Sequence, residues 1–213
     1  PALIRLEDTK EKYQRIIIKP THALMALALP LVAGGVILAY PIIKLIFGSQ
    51  YLDSIPAFKI VLFLIPISYA WNILTVALFV KNLQKNNMIY AAIAAGINIL
   101  LNLILIPAFG LTGAALATII SQFAGFSLAL GLFKKIADVS LVDLRELKKL
   151  GLATLVMVLF LLIPPIKNSA LWINIPLAGL VYLFSIYLLK PTAARECLSF
   201  YKSSISTSEK NAE

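Results

Sequence analysis

Between Asn86 and Phe133 the chain carries no Asp, Glu, Lys or Arg. No exposed face of a water-soluble helix tolerates so long an interval without a charge. The interval is also too long for one crossing of a hydrocarbon layer about 30 Å thick at about 1.5 Å per helical residue. It must cross, turn and cross again. The turn is marked by Pro107, Gly110 and Gly113, residues that interrupt a helix by a missing donor or by backbone freedom. Two helices in a hairpin are therefore expected at about 87–106 and 112–133.

Uncharged runs of spanning length recur on either side of this interval. One extends from His22 to Ile43 and one fills the space between Lys59 and Lys81 (about 60–80). A shorter one covers 150–166 and ends at Pro164 and Pro165, and the last occupies about 170–189. With 60% hydrophobic and 14% charged residues, well beyond a typical soluble composition, the sequence reads as an all-helical, polytopic membrane protein with six transmembrane helices. The alternative, helices buried in a large soluble core, would interleave charges along exposed faces, and these runs do not.

The formal net charge of +9 would suggest nucleic acid in a soluble chain, but the positions of the charges give another explanation. Arg5, Lys10, Lys12, Arg15 and Lys19 precede the first run, and Lys81 and Lys85 lie between the second and third. Lys134, Lys135, Arg145, Lys148 and Lys149 lie between the fourth and fifth, and Lys190, Arg195, Lys202 and Lys210 follow the last. Only Lys44, Lys59 and Lys167 fall in the alternate loops. Basic loops resist translocation, so both ends of the chain are expected in the cytoplasm and no nucleic-acid partner is implied.

Ser140 and Asp143 resemble a capping box, and Leu141, Leu144, Leu147 and Leu150 fall near one face. A cytoplasmic amphipathic helix on the lipid surface is expected there, either as a topology anchor or as a contact for anionic headgroups. Residues 203–213 are polar and lack aromatics, which is the composition of a disordered end. Because the chain opens on Pro1, it is expected to be part of a longer polypeptide.

Inside the runs the polar residues are few and regularly placed. Ser68, Asn72 and Thr75 follow one another in steps of four and three; so do Ala91, Ala95, Asn98 and Asn102, and Ala114, Thr118, Ser121 and Gly125. Each set forms a stripe on its helix, with Ile93, Leu100, Ile104, Leu116 and Phe123 on opposite faces. Such stripes serve either close helix packing with interhelical hydrogen bonds or a polar cavity for a hydrophilic cargo. Pro30, Pro41, Pro66 and Pro107 add expected bends. No acidic residue or arginine lies within any run, so a proton relay or carboxylate cation site cannot be assembled from these helices alone. One Cys and one His leave no disulfide and no metal cluster to expect, and His22 reads as an interfacial polar cap rather than a catalytic base. No enzyme and no cofactor is expected.

The run from Asn98 through Asn102, Pro107, Gly110 and Gly113 to Ala115 resembles the polysaccharide-unit flippases of the multidrug/oligosaccharidyl-lipid/polysaccharide exporter superfamily. Pro1 to Leu6 looks like that family's loop after its eighth helix, and Pro41 to Tyr51, with Lys44 and Gly48, like its turn after the ninth. The resemblance implies a MATE-like fold of two six-helix bundles. Residues 1–137 would form part of the second bundle, residues 138–190 the surface helix and two additional transmembrane helices, and residues 191–213 a cytoplasmic tail. The missing N-terminal bundle of the same polypeptide would precede Pro1. The implied function is translocation of an isoprenoid-diphosphate-linked oligosaccharide across the cytoplasmic membrane for surface polysaccharide such as O-antigen or lipopolysaccharide. Lipid-linked oligosaccharide and membrane lipids would be the partners. A cation-coupled multidrug exporter of the same superfamily is the alternative, with an integral-membrane enzyme or scaffold behind it. Ser68, Asn72, Thr75, Asn98, Asn102, Thr118 and Ser121 are the substrate-cavity candidates. The resemblance further implies that the two additional helices can offer a groove to the carrier's tail, for which Ala178 and Gly179 are the candidates.

Overall fold

The structure is a computed structural model that describes residues 10–136, 143–163 and 171–189. Expectations resting on Ser140, Leu141, Pro164, Pro165, Lys167 and residues 191–213 lie outside these residues. The described chain is helical: α1 (Lys10–Ile37), α2 (Ala39–Ile46), a 3₁₀ helix (Ser49–Ser54), α3 (Ile55–Leu62), α4 (Leu64–Val80), α5 (Gln84–Ile136), α6 (Leu144–Leu161) and α7 (Leu171–Leu189). The all-helical membrane reading holds. Stretches 17–37, 49–80, 84–136 and 171–189 are each long and apolar enough to cross a bilayer.

Prolines decide where two of these helices stop. A proline has no N–H for the carbonyl four residues earlier and its ring crowds that carbonyl. Pro41 frees the carbonyl of Ile37, the last residue of α1, and Pro66 frees that of Leu62, the last residue of α3. Each break is a single residue, Leu38 and Phe63, after which the helix resumes. Pro30, by contrast, is carried inside α1 without an interruption.

The connection from α4 to α5 is a tight cap. Asn82 adopts φ 56°, its N–H donates to Phe79 O at 3.0 Å, and Leu83 N–H donates to Leu78 O at 2.8 Å. That pair of bonds is the Schellman pattern, in which asparagine tolerates the left-handed position better than most residues. Leu83 then packs on the cluster of Ile17, Leu74, Ala77, Leu78, Ala129 and Phe133, which joins α1, α4 and the end of α5. In lipid such contacts are held by close packing rather than by expulsion of water.

Helix α5 is a hairpin rather than a rod. Its continuous helical assignment contains Gly110 at φ 55°, ψ −131°, a conformation open to glycine and strained for other residues. Across this point Asn98 bonds to Ser121, so the two arms run antiparallel. The predicted surface helix and the fifth span, in contrast, are one element. α6 starts at Leu144 and passes through Leu150 without a break. Asp143 is its N-cap, with its carboxylate accepting from Arg145 N–H at 2.8 Å. Arg145, Glu146, Lys148 and Lys149 all lie within the first turns of this one helix, and charge alone does not end a helix once its first turn is capped. α6 and α7 pack on each other, and α6 packs along α1.

Candidate functional site

The polar candidates separate into two groups. On the α5 hairpin Asn102 Nδ2 donates to Asn98 Oδ1 at 2.9 Å and Asn98 Nδ2 donates to Ser121 Oγ at 3.2 Å. Ser121 in turn donates to Thr118 O at 2.9 Å, and Thr118 Oγ1 donates to Ala114 O at 2.8 Å. Four candidates thus form one chain of bonds across the hairpin, with Ser121 buried. Each side-chain bond between helices in a membrane contributes about 1 kcal/mol. Asn102 Oδ1, buried in the same place, has no donor among the described residues.

The arms can approach this closely because of what faces the bonds. A Cβ on Gly113 would run into the backbone of Leu105, and one on Gly125 into the ring of Trp71 and the methyl of Ala94. The packing face of the first arm accordingly passes through Ala94, Asn98 and Asn102. Ala91 and Ala95 of the expected stripe are exposed. Leu100, Ile104 and Phe123, placed opposite the stripes by their spacing, are more than half exposed.

The second group lies on α4. Asn72 is exposed and donates to the carbonyl of Ser68, one turn earlier, at 2.9 Å. Thr75 turns instead toward Asn87 at the start of α5, whose Oδ1 lies 3.5 Å from Thr75 Oγ1 and accepts from Trp71 Nε1 at 3.2 Å. Asn87 and Trp71 are polar partners that stripe periodicity missed. Asn87 falls in the polar run that opens α5, where the sequence signals a helix start rather than a site.

Ala178 and Gly179 sit in different surroundings. They border an apolar groove of about 530 Å³ between α1, α3 and the α6–α7 hairpin, whose walls include Leu31, Phe58, Leu62 and Met157. Nothing lies within 4 Å of a Cβ built on Gly179, so the groove is open at this position. The hairpin nonetheless makes specific hydrogen bonds to the bundle, which its aliphatic composition did not suggest. Tyr182 Oη donates to Ala26 O at 2.6 Å. His22, 97% buried, accepts from the N-cap amide of Asp143 through Nε2 at 3.0 Å. His22 therefore ties α1 to the start of α6 instead of simply facing the interface. Beside it the buried Glu146 pairs with Lys149 at 2.9 Å. Among the described residues no three His, Cys, Asp or Glu come together as a metal site.

Residues 2–182 match the family model described as lipid II flippase MurJ. An uncharacterized membrane protein of Methanocaldococcus jannaschii, MJ1068, is 31% identical over 185 residues, covering 83% of this chain and 32% of the relative. A solved structure of the lipid II flippase MurJ in an inward closed conformation has a TM-score of 0.72 at 20% identity, over 95% of this chain and 42% of that one. The chain thus spans about a third of the curated relative's length and less than half of the solved flippase.

Proposed function

The chain belongs to the MurJ family of lipid II flippases, and on that premise we propose that it forms the C-terminal part of a transporter that moves a prenyl-diphosphate-linked saccharide across the cytoplasmic membrane. The family match over residues 2–182 is the observation that carries this reading. The name of that family makes lipid II the first cargo to test. The oligosaccharide units suggested by the sequence resemblance share its chemistry: a hydrophilic, anionic head on a long apolar tail. A preceding bundle of the same polypeptide completes the transport path, and no covalent step is assigned to this chain.

The two ends of such a cargo make opposite demands. Sugar hydroxyls and amides lose several kcal/mol if they enter hydrocarbon without partners, whereas the tail needs only apolar contact. Among Ser68, Asn72, Thr75, Asn98, Asn102, Thr118 and Ser121, those whose bonds can be exchanged for cargo would supply the polar contacts to the head. The exposed side chain of Asn72 supports that role. The open groove beside Ala178 and Gly179 supports a place for the tail. The concentration of Lys and Arg in one set of loops supports a cytoplasmic position for both ends.

The test uses the full-length polypeptide in vesicles loaded asymmetrically with fluorescent lipid II. Protein-dependent appearance of the headgroup at the opposite face is expected. Failure to move it, together with movement of an unlinked cationic drug, would assign the chain to the exporter branch instead.

A further inference from the structure

A proline inside a membrane helix creates a specific deficit. Pro30 cannot donate to the carbonyl four residues before it, which is that of Ala26. In hydrocarbon an acceptor left without a donor costs about 1–3 kcal/mol. The deficit is met from another helix 156 residues away in sequence. Tyr182 of α7, 6% exposed, places its hydroxyl 2.6 Å from Ala26 O. The Tyr182 ring also packs in one buried cluster with Ala153, Met157 and Leu161 of α6, so both helices of the terminal hairpin converge on the proline site of α1. Ala26, Pro30, Ala178 and Tyr182 all border the apolar groove.

We propose that Tyr182 is a positioning residue, a latch that holds the terminal hairpin at the Pro30 site of α1 and thereby sets the spacing of the groove walls. The bond joins a side chain to a carbonyl that Pro30 leaves without its own helical donor, and with the His22–Asp143 bond it registers the hairpin along α1. Ordinary apolar packing would permit sliding by a turn. A change in the bend of α1 at Pro30 moves the hairpin with it. The consequence for the lipid tail rests on the groove assignment under the proposed function; the latch itself does not.

A double-mutant cycle in the full-length polypeptide separates the two. Tyr182→Phe keeps the ring and removes the hydroxyl. Pro30→Ala restores an N–H to Ala26 O and makes the hydroxyl dispensable. Tyr182→Phe should lower Tm by about 2–4 °C with Pro30 present and by less than a third of that with Ala at position 30. Equal losses in both backgrounds overturn the latch. In parallel, a photoactivatable long-chain prenyl phosphate is cross-linked in nanodiscs and its sites are mapped. Labelling at Leu31 and Gly179 should fall several-fold in Tyr182→Phe and recover in the double variant. Labelling that is unchanged in Tyr182→Phe removes the positioning role. Absence of labelling at both residues in every variant overturns the tail assignment of the groove, while the Tm cycle still decides the latch.

Discussion

The α5 hairpin and the α6–α7 hairpin use the same topology for opposite ends. In α5 the arms are pulled together until no room remains. Gly113 and Gly125 face atoms that a methyl group would strike, and Asn98, Asn102, Ser121 and Thr118 spend most of their hydrogen-bonding capacity on one another. In the terminal hairpin α6 packs on both α7 and α1, while α7 stands off from α1 and α3, leaving a groove in which Gly179 meets nothing. Two long-range bonds, Tyr182 to Ala26 and His22 to Asp143, add to the packing of α6 on α1. A glycine in a membrane helix is thus a sign either of contact or of vacancy. The side chain it faces tells which.

The largest expected effect tests that contrast directly. Gly113→Ala or Gly125→Leu should destabilise the protein by about 3 kcal/mol, because Leu105 backbone and the Trp71 ring cannot both be accommodated without moving a helix. Gly179→Ala should leave stability unchanged or raise it by up to about 1 kcal/mol through helix propensity. Thermal unfolding in detergent measures both. A similar loss at positions 113 and 179 would erase the distinction between the hairpins.

Next in size is the polar chain inside α5. Asn98→Leu removes the central member and leaves Asn102 Nδ2 and Ser121 without their partners, at a cost of about 1–2 kcal/mol. Adding Asn102→Leu takes away one of the stranded groups and should recover part of that loss. A double variant that is worse by the full sum of two singles would mean the two amides act separately. At matched membrane levels the same double variant should transport less than Ile93→Leu with Ile104→Leu, whose side chains face outward.

The smallest effect belongs to the start of the terminal hairpin. Asp143→Ala removes the cap on Arg145 N–H and should cost about 1 kcal/mol, with increased amide exchange confined to the first turn of α6. Asp143→Asn, which keeps an acceptor, should lie near the parent. Exchange spreading through α6 and α7 would show that the cap, rather than packing on α1, holds the hairpin.

Much of this arrangement can be read in the sequence, and the physical reason is periodicity or its interruption. The reversal at Gly110 follows from an uncharged interval too long for one crossing and broken by Pro107. Asn98, Asn102, Thr118 and Ser121 meet because a short turn brings the stripes on the two arms of a hairpin face to face. The stripe on α4 does not behave as one, since Asn72 bonds within its own helix and Thr75 reaches Asn87, a residue whose position signals a helix start. Tyr182 gives no periodic signal at all, and its partner is a backbone atom. Pro30 does announce a carbonyl at Ala26 in need of a donor, but nothing local identifies the helix that supplies it. The unbroken course of α6 was hidden because charges at 145–149 read as a boundary, although a capped first turn carries them without ending the helix.

The central claim is that the terminal hairpin offers the apolar end of the cargo a groove, while the polar stripes serve its head. Gly179→Trp fills that groove from an open position and leaves the α5 network untouched. Measured in vesicles with the full-length polypeptide at equal protein levels, it should slow translocation of a long-tailed prenyl-linked saccharide by about tenfold, the equivalent of roughly 1.4 kcal/mol. A short-tailed analogue should be moved at nearly the parent rate. Equal slowing of both cargoes, or of neither, would contradict the account.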